Sequence, residues 1–223
     1  MKRLFDFIMA FLGVTLTWPI MIVVGIAIKL DSPGPVLFRQ KRLTKEMKEF
    51  EIYKFRSMNI DYDKDGKGIQ TAGTSSAITK VGKFLRKTKL DELPQFFNIL
   101  SGDMSFIGPR PELPRRLKHY TDKQKEIFQV RSGITSPASI VFSDEEYLME
   151  QVKDREKYYI EQVMPYKIEL NRYYIRNQGF FNDIWYLVAT LLKIVSKVSN
   201  HHIVRDEELL REHAILLAVV EEY

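Results

Sequence analysis

The stretch FIMAFLGVTLTWPIMIVVGIAI, Phe7 to Ile28, contains no charged residue. As a helix, a run of about 22 residues extends about 33 Å, just enough to cross the hydrocarbon of a bilayer. A signal peptide is one alternative. The run is long for a signal peptide's apolar region, and Lys29-Leu30-Asp31-Ser32-Pro33 follows it with no small-residue cleavage site. A buried helix of a soluble protein is a second alternative. Trp18-Pro19 falls mid-run, where proline removes a helical hydrogen bond and kinks or breaks the helix. Lys2 and Arg3 precede the run; Lys29, Arg39, Lys41, Arg42, Lys45 and Lys48 follow it. Flanks rich in Lys and Arg stay on the cytoplasmic side. Two cytoplasmic flanks require a segment that enters and returns, which a helix broken at Pro19 would do. A plain span is the competing reading.

The remainder of the 223 residues suits one domain with appendages, and 45% hydrophobic residues suffice for a packed core. The net charge of +5 points to an anionic partner: phosphates, acidic lipid or nucleic acid. With no cysteine, disulfides, thiolate nucleophiles and Cys-based zinc sites are excluded. The four histidines show no metal-ligand spacing, and His201-His202 are sequence neighbours that cannot share a helix face.

Beyond the apolar segment, Asp31-Ser32-Pro33-Gly34-Pro35 reads as a turn. Val36–Gln40 and Phe50–Arg56 read as two strands of a hairpin, with Phe50, Ile52, Lys54 and Arg56 on one face. Two cations leaving a sheet together suit a phosphate or a solvated edge. Asp61–Gly66 imitates the start of a calcium loop, but Ala72 stands where the bidentate glutamate belongs, so that reading fails. Gly66–Ser76, small and polar, reads as a flexible loop. Thr79 is placed to cap a helix through Val81, Phe84 and Leu85.

Leu90-Asp91-Glu92-Leu93-Pro94-Gln95-Phe96-Phe97-Asn98 puts two adjacent carboxylates at a helix start. As an N-cap Asp91 would be poor, because the third helical residue would be Pro94, which has no N–H. The helix dipole favours an ionised carboxylate there, as a nucleophile or Mg²⁺ ligand requires. Gly108-Pro109-Arg110-Pro111 restricts Arg110 to extended geometry, so its guanidinium loses little entropy on gripping a phosphate. Val130-Arg131-Ser132-Gly133-Ile134-Thr135 has a similar but weaker look. Tyr147–Arg176 reads as a peripheral helix interrupted at Pro165. Ile184, Leu187, Val188, Leu191, Leu192, Val195 and Val198 then recur at helical spacing. That helix packs on the core or lies in a membrane interface. From about Arg205 an acidic, apolar tail suggests a partner or dimer contact.

These blocks resemble the bacterial sugar transferase family, the monotopic phosphoglycosyl transferases. The resemblance rests on the proline-containing apolar segment, Lys54-Phe55-Arg56, Val81-Gly82-Lys83-Phe84-Leu85-Arg86, Leu90–Gln95, Gly102-Asp103-Met104-Ser105 through Pro111, and Arg131. It implies an α+β monotopic membrane protein. Such a protein has a re-entrant helix broken near the proline (1–30), a small β-hairpin, and amphipathic interfacial helices around a cytosolic catalytic core (31–200); an accessory tail (201–223) lies beyond. Transfer of a phosphosugar from a UDP-sugar to polyprenyl phosphate, with release of UMP, is the implied reaction. It would begin capsule, exopolysaccharide, O-antigen or glycoconjugate assembly at the bacterial inner membrane.

By motif, Asp91 resembles the nucleophile and Glu92 its dyad partner, with Mg²⁺ at Asp91 and the diphosphate. Arg86 and Arg110 match phosphate-binding arginines, while Lys54, Arg56 and Arg131 fall at basic positions of the pattern. Trp18-Pro19 departs from the family's frequent Ser-Pro. Arg131-Ser132-Gly133-Ile134-Thr135-Ser136-Pro137-Ala138-Ser139 departs from its Arg-Pro-Gly-Ile-Thr-Gly followed by Ala-Gln. The second change bears on the nucleotide or sugar pocket and keeps open an alternative function, a membrane-bound scaffold with a lapsed active site that organises later glycosyltransferases. Nucleic-acid binding has only the charge in its favour, with no binding motif.

Overall fold

A computed structural model describes residues 1–59, 77–143, 152 and 154–195. The calcium-like segment Asp61–Gly66, the loop Gly66–Ser76, Val198 and the tail lie outside these residues. Among them is one helix long and apolar enough to cross a membrane, α1 (Lys2–Asp31). Pro19 lies inside α1, which is continuous across it. The expected break is therefore absent. Proline removes the bond its own N–H would make to the Thr15 carbonyl and crowds that carbonyl, yet the helix runs on through it. Neighbouring turns keep theirs and add Thr15 Oγ1 to Phe11 O at 2.9 Å and Thr17 Oγ1 to Gly13 O at 2.6 Å. Pro19 and Trp18 are also exposed on the side of α1 away from the body.

What the break was invoked to explain, two ends on one side, is met differently. Each end of α1 is tied by polar groups to the same folded body. At the start, Lys2 Nζ meets Asp183 Oδ2 at 2.5 Å. Arg3 donates to the carbonyls of Ile99 (2.5 Å) and Leu100 (3.0 Å). Buried Asp6 accepts from Ser105 Oγ and the Phe106 N–H. At the finish, Asp31 Oδ2 accepts the Val81 N–H at 2.9 Å, and Arg56 donates to the carbonyls of Ser32 and Pro33. Between these ends Ala10, Val24 and Ile28 are buried at helical spacing, while Phe11, Leu16, Val23 and Ile26 are exposed.

The expected hairpin forms from β1 (Leu37–Leu43) and β2 (Glu49–Phe55), antiparallel, with Leu37 opposite Phe55 and Leu43 opposite Glu49. Phe50 and Ile52 are buried, and β2 carries Lys54 near its end. Thr79 caps α2 (Lys80–Thr88) as anticipated, accepting the Gly82 N–H at 2.9 Å. After α3 (Gln95–Ser101), β3 (Met104–Ile107) pairs in parallel with β4 (Ser132–Thr135). The divergent segment after Arg131 builds β4 and α4 (Pro137–Val141). Ser136 caps α4 by accepting the Ser139 N–H at 3.1 Å. The Ser132 N–H donates to Thr44 Oγ1 at 3.2 Å, a bond that proline could not make.

Helical segment α5 (Arg155–Tyr158) passes through a π-turn, Tyr159–Val163, into α6 (Met164–Arg176). This stretch is not peripheral. Tyr158, Val163, Leu170 and Tyr174 are almost fully buried in the main core with Ile107, Phe128 and Ile140. Pro165 does not interrupt it, because proline falls in the first turn of α6, just after the wider π-turn. The last described helix, α7 (Phe180–Val195), buries Asp183, Tyr186 and Ala189. Of the five residues of the anticipated apolar stripe whose side chains are described, Val188, Leu191 and Leu192 are exposed, beside Phe181 and Trp185, and Ile184 and Leu187 are half-buried. Phe180 packs edge-on against Phe5 at 5.5 Å, so the two apolar surfaces of α1 and α7 adjoin.

Candidate active site

Helix α2 ends in Lys89, whose φ of 58° is uncommon for a residue with a Cβ. That residue swings the chain into one 3₁₀ turn, Leu90–Glu92, which carries both carboxylates. Leu90 and Leu93 pack into the cluster of Val24, Ile28, Phe55 and Leu85. Phe96 packs with Ala10, Phe50 and Ile99, its ring against Gly13, where a Cβ would lie 2.8 Å away. The dyad turn thus runs along α1, from its last turns back towards its first. Asn98 locks α3 onto β2: its Oδ1 accepts the Tyr53 N–H at 2.9 Å and its Nδ2 donates to Glu51 O at 2.7 Å. The amide side chain serves β2 as another strand would, and Lys54 is delivered to the dyad.

Fold geometry treats the two carboxylates differently. Glu92 Oε1 receives Lys54 Nζ at 2.8 Å and Arg110 Nη2 at 3.1 Å. Burial opposes its ionisation, but the two cations outweigh burial and hold Glu92 well below the usual carboxylate range. Asp91 is buried and caps nothing, and its Oδ1 has no hydrogen-bond partner. Burial pushes its pKa up, aided by Glu92 and opposed by Lys54, Lys89 and Arg110. Desolvation therefore prevails over the helix-dipole argument at this residue. Lys54 is itself pulled down by burial, with Glu92 acting in the opposite sense.

Arg110 is presented by a segment fastened on both sides. The Gly108 N–H donates to Thr135 O at 3.0 Å, and the Gly133 N–H donates to Pro109 O at 2.9 Å. The two backbones approach so closely that a Cβ on Gly108 would lie 2.2 Å from the Arg131 carbonyl oxygen. Only glycine fits there, which gives Gly108 and Gly133 a packing reason for their place in the two motifs.

Lys54, Asp91, Glu92 and Arg110 therefore come together. Arg86 ends α2 one turn before Lys89, half-buried. Arg56 is turned elsewhere. Its buried guanidinium donates to Ser32 O at 2.7 Å, to Ser32 Oγ at 2.9 Å and to Pro33 O, closing the C-terminal end of α1. The strand alternation that paired Arg56 with Lys54 ends at Phe55, beyond which side chains leave in new directions. Arg131 is exposed, and its Nε donates to Gly102 O at 2.8 Å, past the end of α3. Cations at a helix C-terminus offset its dipole, and both arginines occupy such positions.

Several contributors escaped the sequence reading. Lys89 left no signal beyond its charge. Asn98 lies in the quoted motif, yet its strand-like role depends on tertiary contact. Gln95 is fully buried, and its Nε2 has no partner in the first turn after the dyad. Glu112 and Arg116 form a buried ion pair at 3.3 Å, legible as opposite charges four apart.

No group of three or more His, Cys, Asp or Glu able to hold a metal occurs among the described residues. The donor set still fits a hard divalent cation of the Mg²⁺ type, which takes one or two carboxylates and completes its shell with phosphate oxygens and water. Asp91 Oδ1, buried and without a partner, is the oxygen that could serve it.

The bacterial sugar transferase family model matches residues 1–197. A UDP-N-acetylgalactosamine-undecaprenyl-phosphate N-acetylgalactosaminephosphotransferase of Aeromonas hydrophila is 37% identical over 199 residues, covering 87% of this chain and 44% of that protein. A UDP-glucose:undecaprenyl-phosphate glucose-1-phosphate transferase of Xanthomonas campestris pv. campestris is 36% identical over 201 residues, covering 88% of this chain and 39% of that protein. The chain thus spans about two fifths of the length of these relatives. An uncharacterized sugar transferase of Bacillus subtilis is 34% identical over 195 residues, 87% of either chain. Matched from its first residue through α7, the chain belongs to the bacterial sugar transferase family.

Proposed function

We propose that the protein transfers a phosphosugar from a UDP-sugar to polyprenyl phosphate, through a covalent intermediate on Asp91. The observation that carries this reading is the contrast within the dyad. Glu92 is held by two cations, whereas Asp91 keeps a buried oxygen with no partner. A nucleophile needs a lone pair that is not already engaged, and a desolvated carboxylate is more reactive than a hydrated one. The named reactions of the relatives support the choice of donor and acceptor.

In the first step an Asp91 carboxylate oxygen attacks the β-phosphorus of the UDP-sugar. A bond forms from oxygen to phosphorus, and the bridging bond to the α-phosphate breaks. UMP departs with the electron pair, leaving an acyl phosphate that bears the sugar. A phosphate oxygen of polyprenyl phosphate then attacks the same phosphorus. The Asp91–phosphorus bond breaks, giving the polyprenyl diphosphate sugar and the free carboxylate. Arg110 offsets charge on the phosphoryl oxygens; Lys54 and Glu92 hold it in register. Arg86 is close enough in the chain to join it, and Arg131 would serve only by leaving Gly102. Mg²⁺ bound at Asp91 and the diphosphate would neutralise charge on the leaving group.

The acceptor is a lipid, and α1 backs the dyad turn along its length. Because both its ends are tied to one body, we place α1 in one leaflet, its exposed face in lipid and both its ends at the same surface, with the exposed face of α7 at the interface. The body then lies on the cytoplasmic side of the bacterial inner membrane, where basic flanks are retained.

Release of UMP in the absence of polyprenyl phosphate tests the covalent route. A burst near one equivalent per protein is expected. An active enzyme that gives no burst would transfer directly in a ternary complex, and the Asp91 intermediate would be abandoned. A screen of UDP-sugars in the same assay identifies the donor. The altered segment after Arg131 supplies its own strand, cap and hydrogen bonds, which favours an active enzyme over a lapsed scaffold. Binding of UDP-sugars without turnover of any would restore the scaffold.

A further inference from the structure

We infer that Glu112 is a positioning residue for Arg110, coupling the C-terminal helices to the phosphate-binding arginine; the inference rests on the phosphoglycosyl-transfer reading of the site. Glu112 lies two residues beyond Arg110, and both its carboxylate oxygens are occupied. Oε1 accepts the Leu113 N–H at 2.8 Å and Arg116 Nη1 at 3.3 Å. Oε2 accepts the hydroxyls of Tyr120 at 3.2 Å and Tyr159 at 3.4 Å. Four donors, three from the segment Leu113–Tyr120 and one from the π-turn, fix the side chain in one orientation. Arg116 is held in turn over the Tyr159 ring at 4.2 Å and by Glu156 at 3.2 Å. Tyr159 opens the π-turn, the one irregular stretch in the helix built from α5 and α6.

The backbone of Glu112 is fixed as well. Its carbonyl accepts the Leu43 N–H at 2.8 Å, and Arg42 Nη1 donates to the Pro111 carbonyl at 3.1 Å. Leu43 and Arg42 end β1, and β2 of the same hairpin carries Lys54. The two cations that meet on Glu92 Oε1 are therefore referenced to one hairpin: Lys54 directly, and Arg110 through Pro111 and Glu112. Buried ion pairs confer little net stability over apolar packing of the same volume. What a fully satisfied polar cluster adds is fixed geometry. Here that geometry is imposed two residues from a side chain that must meet phosphoryl oxygens.

A double-mutant cycle on the full chain tests this, using Arg110→Ala, Glu112→Gln and the pair. Glu112→Gln should lower kcat/KM for UMP release by about tenfold to a hundredfold. In the Arg110→Ala background the same change should cost less than about twofold, because the residue through which it acts is gone. Equal losses in both backgrounds, or no loss in either, overturn the inference. Should Glu112→Gln fail to fold, Tyr120→Phe and Tyr159→Phe each remove one donor and must show the same dependence on Arg110. Calorimetric binding of UDP provides a second readout. Wild-type protein that binds UDP with this cycle yet releases no UMP would remove the transfer reading and keep the positioning role. Arg110→Ala that alters neither readout would overturn the inference outright.

Discussion

Asp91 and Glu112 are both buried carboxylates near Arg110, and the fold treats them in opposite ways. Glu112 receives four donors and has no unmet acceptor among its described contacts. Asp91 keeps Oδ1 without any, buried where desolvation disfavours its charge. A buried, unpaired acceptor costs stability, and a saturated one does not. On the proposed mechanism, saturation marks the carboxylate that builds the site, and its absence marks the one that would react. Glu92 stands between them: paired with two cations, it holds the reactive arrangement together without offering itself.

Asp91→Asn separates these roles most sharply. Loss of the nucleophile should abolish the UMP burst and lower turnover by at least about a thousandfold. Thermal unfolding should be unchanged or shifted upward, since a desolvated charge is removed. Glu112→Ala should instead destabilise the fold, besides the loss of activity that follows from its positioning role. Removing the buried partner of Arg116, and leaving only Glu156 to meet that charge, should cost up to about 3 kcal/mol, read as a fall in the unfolding midpoint. Should Asp91→Asn destabilise the fold while Glu112→Ala spares it, the contrast between the two carboxylates is wrong.

The part of this contrast that was legible in sequence follows a simple rule. Local chemistry could be read, and contacts across the chain could not. Thr79 as a cap, the hairpin and the weakness of Asp91 as a cap depend on residues a few positions apart, and each is found. Arg56 shared a strand face with Lys54 in the pattern, yet its direction was set by carbonyls 24 residues upstream. Pro19 and Pro165 were read as breaks because an isolated helix would yield there. Both helices nevertheless run on, α1 with its two ends anchored on the body and α6 directly after a π-turn. The β3–β4 pairing joins four-residue strands 28 positions apart, too short and too distant for any periodic signal. At the site itself the motif named Asp91, Glu92 and Arg110, but the opposite pKa shifts of the two carboxylates depend on burial and on Lys54, neither of which is a local property.

Arg56 offers a smaller test on the same lines. If it closes the end of α1 and does not bind phosphate, Arg56→Met should destabilise by about 2–3 kcal/mol through lost charge-assisted bonds. The KM for the UDP-sugar should hold within about twofold, well short of the tenfold change that 1.4 kcal/mol of lost binding would bring. A large rise in KM with an unchanged unfolding midpoint would return Arg56 to the phosphate site.

The smallest effect is a displacement along the pH axis, and its sign is fixed. On the proposed mechanism Asp91 must be ionised to attack, and burial raises its pKa, so the acid limb of kcat/KM should lie above the ordinary carboxylate value. Lys54 is the strongest influence in the other direction. Lys54→Met should therefore move that limb to still higher pH, measured as the shift of the half-maximal point in UMP release. Stability should respond with the two signs that distinguish the dyad. The raised pKa of Asp91 contributes stability that is present at low pH and lost as pH rises through it. The depressed pKa of Glu92 contributes stability present above the unfolded carboxylate value and lost as pH falls towards the folded one. In Lys54→Met the contribution of Glu92 shrinks while that of Asp91 grows. The variant should lose stability near neutrality and lose less of it in acid. If both the limb and the acid stability stay where they are in the wild type, Lys54 does not couple the two carboxylates, and their difference must come from burial alone.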